Sequence, residues 1–194
     1  QPIKTQKYKK LFSDMQLLNA ISKRRSVRNY TGKPLNDVHK SILQEYLSNE
    51  KNLKGPFGNT VRILYNEQKE VKKSEKIGTY GFIKNAPAYL ISICKNNEET
   101  LIDLGCIFEN LVLFLQTHNI GTCWMGGTFT RKKLQVNTEL NDDEFIPIIS
   151  PVGYAADKKH TVEKIIRTVA KSNRRKDPEE LFFKNDFETP LQSS

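Results

Sequence analysis

The chain is poor in the residues that do chemistry unaided. Of its 194 residues only three are cysteines, Cys94, Cys106 and Cys123, and no two lie close in sequence. An odd, widely spaced set argues against a disulfide framework and a tetrahedral zinc site, and it fits a reducing, cytoplasmic setting. The three histidines, His39, His118 and His160, stand apart from every motif singled out below. Neither a nucleophile paired with a base nor a metal-ligand set can be assembled from them. Asp142, Asp143 and Glu144 read as a solvated loop. The first ten residues lack the apolar stretch of a signal peptide. No apolar run reaches the roughly 18 residues of a membrane span. The repeated βαβ units and early glycine-rich turn of a dinucleotide fold are also missing, as are zinc-finger and RNA-recognition signatures.

Positive charge, by contrast, is abundant. Thirty-one Lys and Arg face 22 Asp and Glu, for a formal net charge of +9. Much of it sits in runs at residues 7–10, 23–28, 69–76 and 174–176. Such a balance first brings nucleic acid to mind. Without a recognition motif, the simpler reading is a solvated surface and a pocket for one small anion. Hydrophobic residues make up 37% of the chain, enough for a real core.

Periodicity predicts a helix from about Asp14 to Lys23, with Leu17, Leu18 and Ile21 on its apolar side. A second helix is expected over Asn36–Leu47, presenting Val38, Ile42, Leu43 and Tyr46. Residues 49–59 contain Gly55-Pro56 and Gly58 and read as a loop. Strands are expected at Thr60–Tyr65 and Ala88–Cys94, the latter a nearly continuous apolar run through Tyr89, Leu90, Ile91 and Ile93 that suits an interior strand. Leu101–His118 is apolar on at least three sides, so it should be a buried helix, helped either by a large core or by a partner subunit. A short helix over 130–138, a strand over Glu144–Val152 and a helix over 161–171 complete the order. Pro147 and Pro151 predict an irregular or edge position for that last strand. Together these elements give a single domain over residues 1–194, of the α+β class, with a few-stranded sheet flanked by helices. Its tail, about residues 177–194, carries Leu181, Phe182, Phe183, Phe187 and Leu191, and is expected to wrap the core or a partner.

Three segments have the composition of a binding site. Lys23-Arg24-Arg25-Ser26-Val27-Arg28 places four cations in six residues, a repulsion that a bound phosphate would offset through charge-assisted hydrogen bonds. A solvated helix C-terminus, where cations are favoured anyway, accounts for it equally well. Asn173-Arg174-Arg175-Lys176 has the same two readings. Gly121–Gly127 combines flexible backbone with Trp124 and Met125, so it is either a flat-ligand wall or a helix end followed by core residues. With no catalytic constellation visible, an enzymatic role would fall to an external cofactor.

Ile21-Ser22-Lys23-Arg24-Arg25-Ser26-Val27-Arg28-Asn29-Tyr30 resembles the opening flavin signature of the nitroreductase family. Further points of resemblance follow in family order. They are Gly55-Pro56-Phe57-Gly58, Gly78-Thr79-Tyr80-Gly81 with Ala86-Pro87-Ala88, Gly121–Gly127, Pro151-Val152-Gly153-Tyr154, and Arg174-Arg175-Lys176 leading to Leu181-Phe182-Phe183. They span about residues 11–191 and are most similar to the TM nitroreductase branch. The resemblance implies a nitroreductase-like α+β fold with a central, mainly antiparallel sheet, and a homodimer with FMN at its interface. It implies that Arg24, Arg25, Ser26 and Arg28 hold the phosphate, ribityl chain and pyrimidine side of the ring. Arg174 and Arg175 would complete the phosphate site. Trp124, Met125, Gly126 and Gly127 would run beside the isoalloxazine, and Asn59 would lie near its polar edge. No protein acid or base is required; the flavin carries the chemistry, and Arg28 is expected to tune it by opposite charge. The implied activity is hydride transfer from NADH or NADPH, by a ping-pong cycle, to a nitroaromatic, quinone or related small-molecule acceptor. The implied alternative is a flavin-binding protein for storage, sensing or flavin fragmentation. Neither nucleic acid nor membrane is an expected partner.

Overall fold

A computed structural model describes residues 14–67, 82–131, 138–157, 168 and 177–191. The basic runs at 7–10, 69–76 and 174–176, including Arg174 and Arg175, lie outside them. So do Gly78–Gly81 and most of the helices expected at 130–138 and 161–171. The chain divides into two compact units, residues 1–158 and 159–194.

The described elements of the first unit begin with α1 (Asp14–Lys23), α2 (Asp37–Ser48) and a 3-10 turn at Glu50–Leu53. They continue with β1 (Arg62–Glu67), β2 (Ala88–Lys95), α3 (Glu98–Thr117), β3 (Gly121–Thr122), β4 (Glu144–Phe145) and β5 (Ile149–Gly153). In the second unit a 3-10 turn at Pro178–Glu180 leads into a tight antiparallel turn that bridges Phe183 and Pro190. There Asp186 accepts the Glu188 and Thr189 amides, and Phe183 packs edge-on against Phe187.

Helix ends are set by short polar side chains. Asn36 accepts the His39 amide at 2.8 Å to start α2, and Asn97 accepts the Thr100 amide at 2.9 Å to start α3. Glu98 and Glu99 add favourable charge in the first turn of α3. The other end of α3 closes on Asn119, which takes the left-handed conformation at φ 57. The amides of Asn119 and Ile120 then satisfy the carbonyls of Gln116 and Leu115. Ile120, buried just past this cap, fastens the helix end to the core.

The sheet order is β1-β2-β5-β3, every pair antiparallel, with β4 against the end of β2. Alternation along β2 feeds two separate cores. Ala88, Leu90 and Cys94 join Leu43, Tyr46, Leu104, Phe108 and Leu111 in the larger one. Tyr89, Ile91 and Ile93 join Met125, Phe129, Ile146 and Ile149 in the smaller. A strand covered on both faces has little need of polar residues, which explains a run broken only by Ser92, whose buried hydroxyl donates to the Ile148 carbonyl at 2.6 Å.

Several expectations are corrected. The segment 144–153 is irregular, as Pro147 implied, and splits into β4 and β5. It is not at an edge, because β5 lies between β2 and β3. The interior position tolerates Pro151 because β3 reaches only as far as Thr122, opposite Val152. In α1 Ala20 is buried and Leu17 half-buried, while Leu18 and Ile21 are exposed. Val38 is likewise exposed, while α2 buries Leu43 and Tyr46 as expected. By length and composition α3 could cross a membrane, yet 56% of its most apolar window is buried within the chain, as in a core helix.

Candidate functional site

The early basic segment forms an extended strap rather than a continuation of α1. Arg24 donates the last helical hydrogen bond, to the Ala20 carbonyl at 2.8 Å. Ser26 then pairs in parallel with Thr122, and the Val27 amide donates to the Thr122 carbonyl at 2.8 Å. The Lys84 amide donates to Arg28, and the Tyr30 amide to Lys84. Tyr30 is fully buried and donates its hydroxyl to the Val27 carbonyl at 2.8 Å. The strap thus adds a further layer beyond β3. Close approach requires glycine at 121, where a Cβ would lie 2.8 Å from the Val27 side chain. With Val27 and Tyr30 turned inward, Arg24, Arg25, Ser26 and Arg28 are half-buried.

The Gly121–Gly127 segment answers both of its readings. The Cys123 amide donates to Ser150 Oγ at 3.0 Å, and Met125 exchanges backbone hydrogen bonds with Ile149. Met125 is buried in the smaller core, so its thioether is a packing group. Trp124 is half-buried against the larger core, edge-on to Phe108 with ring centroids 4.9 Å apart. Gly126 and Gly127 are exposed, and a Cβ at either would meet nothing within 4 Å. Arg131 straps this turn down. Its guanidinium donates to the Gly126, Ile146 and Pro147 carbonyls and lies over the Phe129 ring.

Glu109, on α3, joins the two segments. One carboxylate oxygen forms an ion pair with Arg24 Nε at 3.2 Å, and the other accepts the Trp124 indole N–H at 2.9 Å. The terminal guanidinium nitrogens of Arg24 hold no hydrogen bond among the described residues, and neither does the Arg28 guanidinium. One cationic donor group, that of Arg24, therefore stands one carboxylate away from Trp124 and the exposed Gly126-Gly127 turn. That donor set suits a phosphate carrying a flat aromatic system.

Asn59 sits in a different network. Its amide and carboxamide both donate to Asp103 Oδ2, at 2.9 and 2.8 Å, while the Phe57 amide donates to Asp103 Oδ1 at 2.8 Å. Burial opposes charge on Asp103, but these three donors outweigh it and hold the carboxyl below its usual range. Gly55 is packed so closely on Asp103 that a Cβ would overlap it. An open cleft of about 260 Å³ nearby is lined by Tyr46, Lys54, Gly55, Cys106 and Asn110 among others, and by none of the expected cofactor residues.

Sequence reasoning missed Glu109, Arg131 and Asp103. Each acts through partners 15 or more positions away, or through backbone groups that no motif displays.

Residues 16–192 match a sequence family described as "Putative TM nitroreductase". The chain belongs to this family. No curated protein matches it. Among solved structures, an FMN-dependent nitroreductase from Clostridium difficile is 19% identical with a TM-score of 0.57, covering 73% of this chain and 89% of that one. A nitroreductase family protein from Clostridium novyi is 16% identical with a TM-score of 0.57, covering 90% and 96%. A nitroreductase from Desulfitobacterium hafniense, solved with bound FMN, is 14% identical with a TM-score of 0.60, covering 74% and 91%. At such identities the likeness is one of fold. The antiparallel sheet flanked by helices is the nitroreductase fold, as the opening signature implied.

Proposed function

We propose that this nitroreductase-family protein binds FMN and uses it to pass reducing equivalents from NADH or NADPH to a nitroaromatic, quinone or related acceptor, in two half-reactions. The observation carrying this reading is the junction at Glu109, which joins Arg24 of the strap to Trp124 at the head of the exposed Gly126-Gly127 turn, with the terminal nitrogens of Arg24 holding no hydrogen bond among the described residues. Bound FMN would supply the hydride chemistry that no protein group here provides.

The chain's own residues bind and orient. The terminal nitrogens of Arg24 take the phosphate, with Arg25 adding positive charge. The Ser26 hydroxyl faces the ribityl chain. Arg28 faces the pyrimidine side and favours the anionic reduced ring by opposite charge. Trp124 and the open backbone at Gly126 and Gly127 line the ring, with Met125 supporting them from the core. Asn59, held on Asp103, borders the ring's polar edge. The active form in this reading is a homodimer, closed over exposed Leu18 and Ile21 of α1 and Leu101 and Ile102 of α3.

The test is the visible spectrum of purified protein supplied with FMN, before and after anaerobic NADH or NADPH. A bound flavin band that the nicotinamide bleaches is expected. Absence of the band overturns the reading, and a band indifferent to both nicotinamides restricts the role to flavin binding. Arg28→Ala is expected to weaken FMN by about tenfold or to lower the bound flavin's potential. If affinity and potential both stay unchanged, Arg28 has no such role.

A further inference from the structure

The two partners of Glu109 lie 85 positions before it and 15 positions after it, counted from Arg24 and Trp124. One is a cation whose terminal donors hold no hydrogen bond among the described residues. The other is the chain's single tryptophan, whose ring edge also packs on Phe108. A carboxylate can serve both at once because each oxygen accepts independently. The ion pair meets Glu109 at Nε, and the two terminal nitrogens of Arg24 hold no hydrogen bond among the described residues, which leaves them for bidentate contact with a phosphate. Holding the indole N–H fixes the ring plane at the start of the Trp-Gly-Gly edge. An arginine otherwise samples many rotamers, and ordering it on binding would cost affinity.

We propose that Glu109 is a positioning residue that orients the phosphate-binding fork of Arg24 and the ring-lining indole of Trp124 as one unit. The flavin half of this role rests on the FMN reading above; the Trp124 half does not. Replacement by glutamine is nearly isosteric but cannot preserve both contacts. Its single carbonyl oxygen can serve one partner, and its NH2 group is turned against the other.

The test compares full-length wild type, Glu109→Gln, Arg24→Gln and the double variant for dissociation constants of FMN and of riboflavin, which lacks the phosphate. Emission and acrylamide quenching of Trp124 are recorded without ligand, with a thermal melt on each protein. Glu109→Gln is expected to reduce the preference for FMN over riboflavin by roughly tenfold. Arg24→Gln should do the same, and the double variant should be no worse than Arg24→Gln alone. Glu109→Ala, measured alongside, removes both contacts and should also raise quenching of Trp124, whereas Arg24→Gln should leave the indole bond and its quenching close to wild type. An unchanged preference in a folded Glu109→Ala protein overturns the Arg24 half, and unchanged emission and quenching in it overturn the Trp124 half. If wild type binds neither flavin, the FMN reading fails and the Arg24 half falls with it; the tryptophan measurements still decide the other half.

Discussion

A carboxylate removed from solvent must have its charge met by donors, and Asp103 meets three on a single loop. Among the apolar residues of α3 its sequence position reads as one more polar residue, since the donors lie more than forty positions upstream. The signal that remained was Gly55, which a loop reading credits to turn geometry and the structure credits to the space Asp103 occupies. Because folding lowers the pKa of Asp103, its contribution to stability is complete above the unfolded aspartate value of about 3.9. That contribution is lost as pH falls through the lowered folded value. Asp103→Asn, which turns an NH2 group toward amide donors, should speed hydrogen exchange at the Phe57 and Asn59 amides by about tenfold or more at neutral pH. Acid should produce the same loosening in wild type. Unchanged protection in the variant would show that the loop is held by something else.

At the scale of elements, contact between the strap and β3 determines where the arginines stand. Gly121→Ala would drive a methyl group into Val27 and should destabilise the protein by about 1–3 kcal/mol in urea unfolding. Wild-type stability in that variant would mean that the strap moves freely from β3. Elements with their own internal pattern were legible in advance. The apolar faces of α3 and the nearly continuous apolar run of β2 gave both their type and their burial. The strap and β3 have no such pattern. Two residues cannot display a period, and Thr122 is a strand only because Val152 and Ser26 lie on either side of it. The basic cluster was visible as a candidate site, but its extended form follows from pairings nearly a hundred residues away. Met125 shows the reverse: its place beside the glycines was apparent, while the face it occupies depends on pairing with Ile149.

For the whole molecule, the surface left by α1 and α3 bears on assembly. Ile102 is 44% exposed, and Leu18 and Ile21 are more exposed still. Apolar groups left on packed helices indicate a surface meant to be covered. If that cover is a second copy, Ile102→Glu should shift the species measured by light scattering from dimer to monomer and weaken FMN binding in parallel. An unchanged dimer would place the interface elsewhere.

The two-sided burial of β2 has a kinetic consequence. Its antiparallel partner β5 lies about sixty residues further along the chain, so one edge of an uncharged, β-prone heptapeptide stays open until most of the polypeptide has emerged. The helix that covers its larger face follows at once, from Glu98, whereas the opposite face depends on Met125, Phe129 and Ile149. Lys84 before the strand and Lys95 at its end are placed to discourage association between unfinished chains. Replacing them would be felt first as lower yield during refolding, with the finished fold little altered.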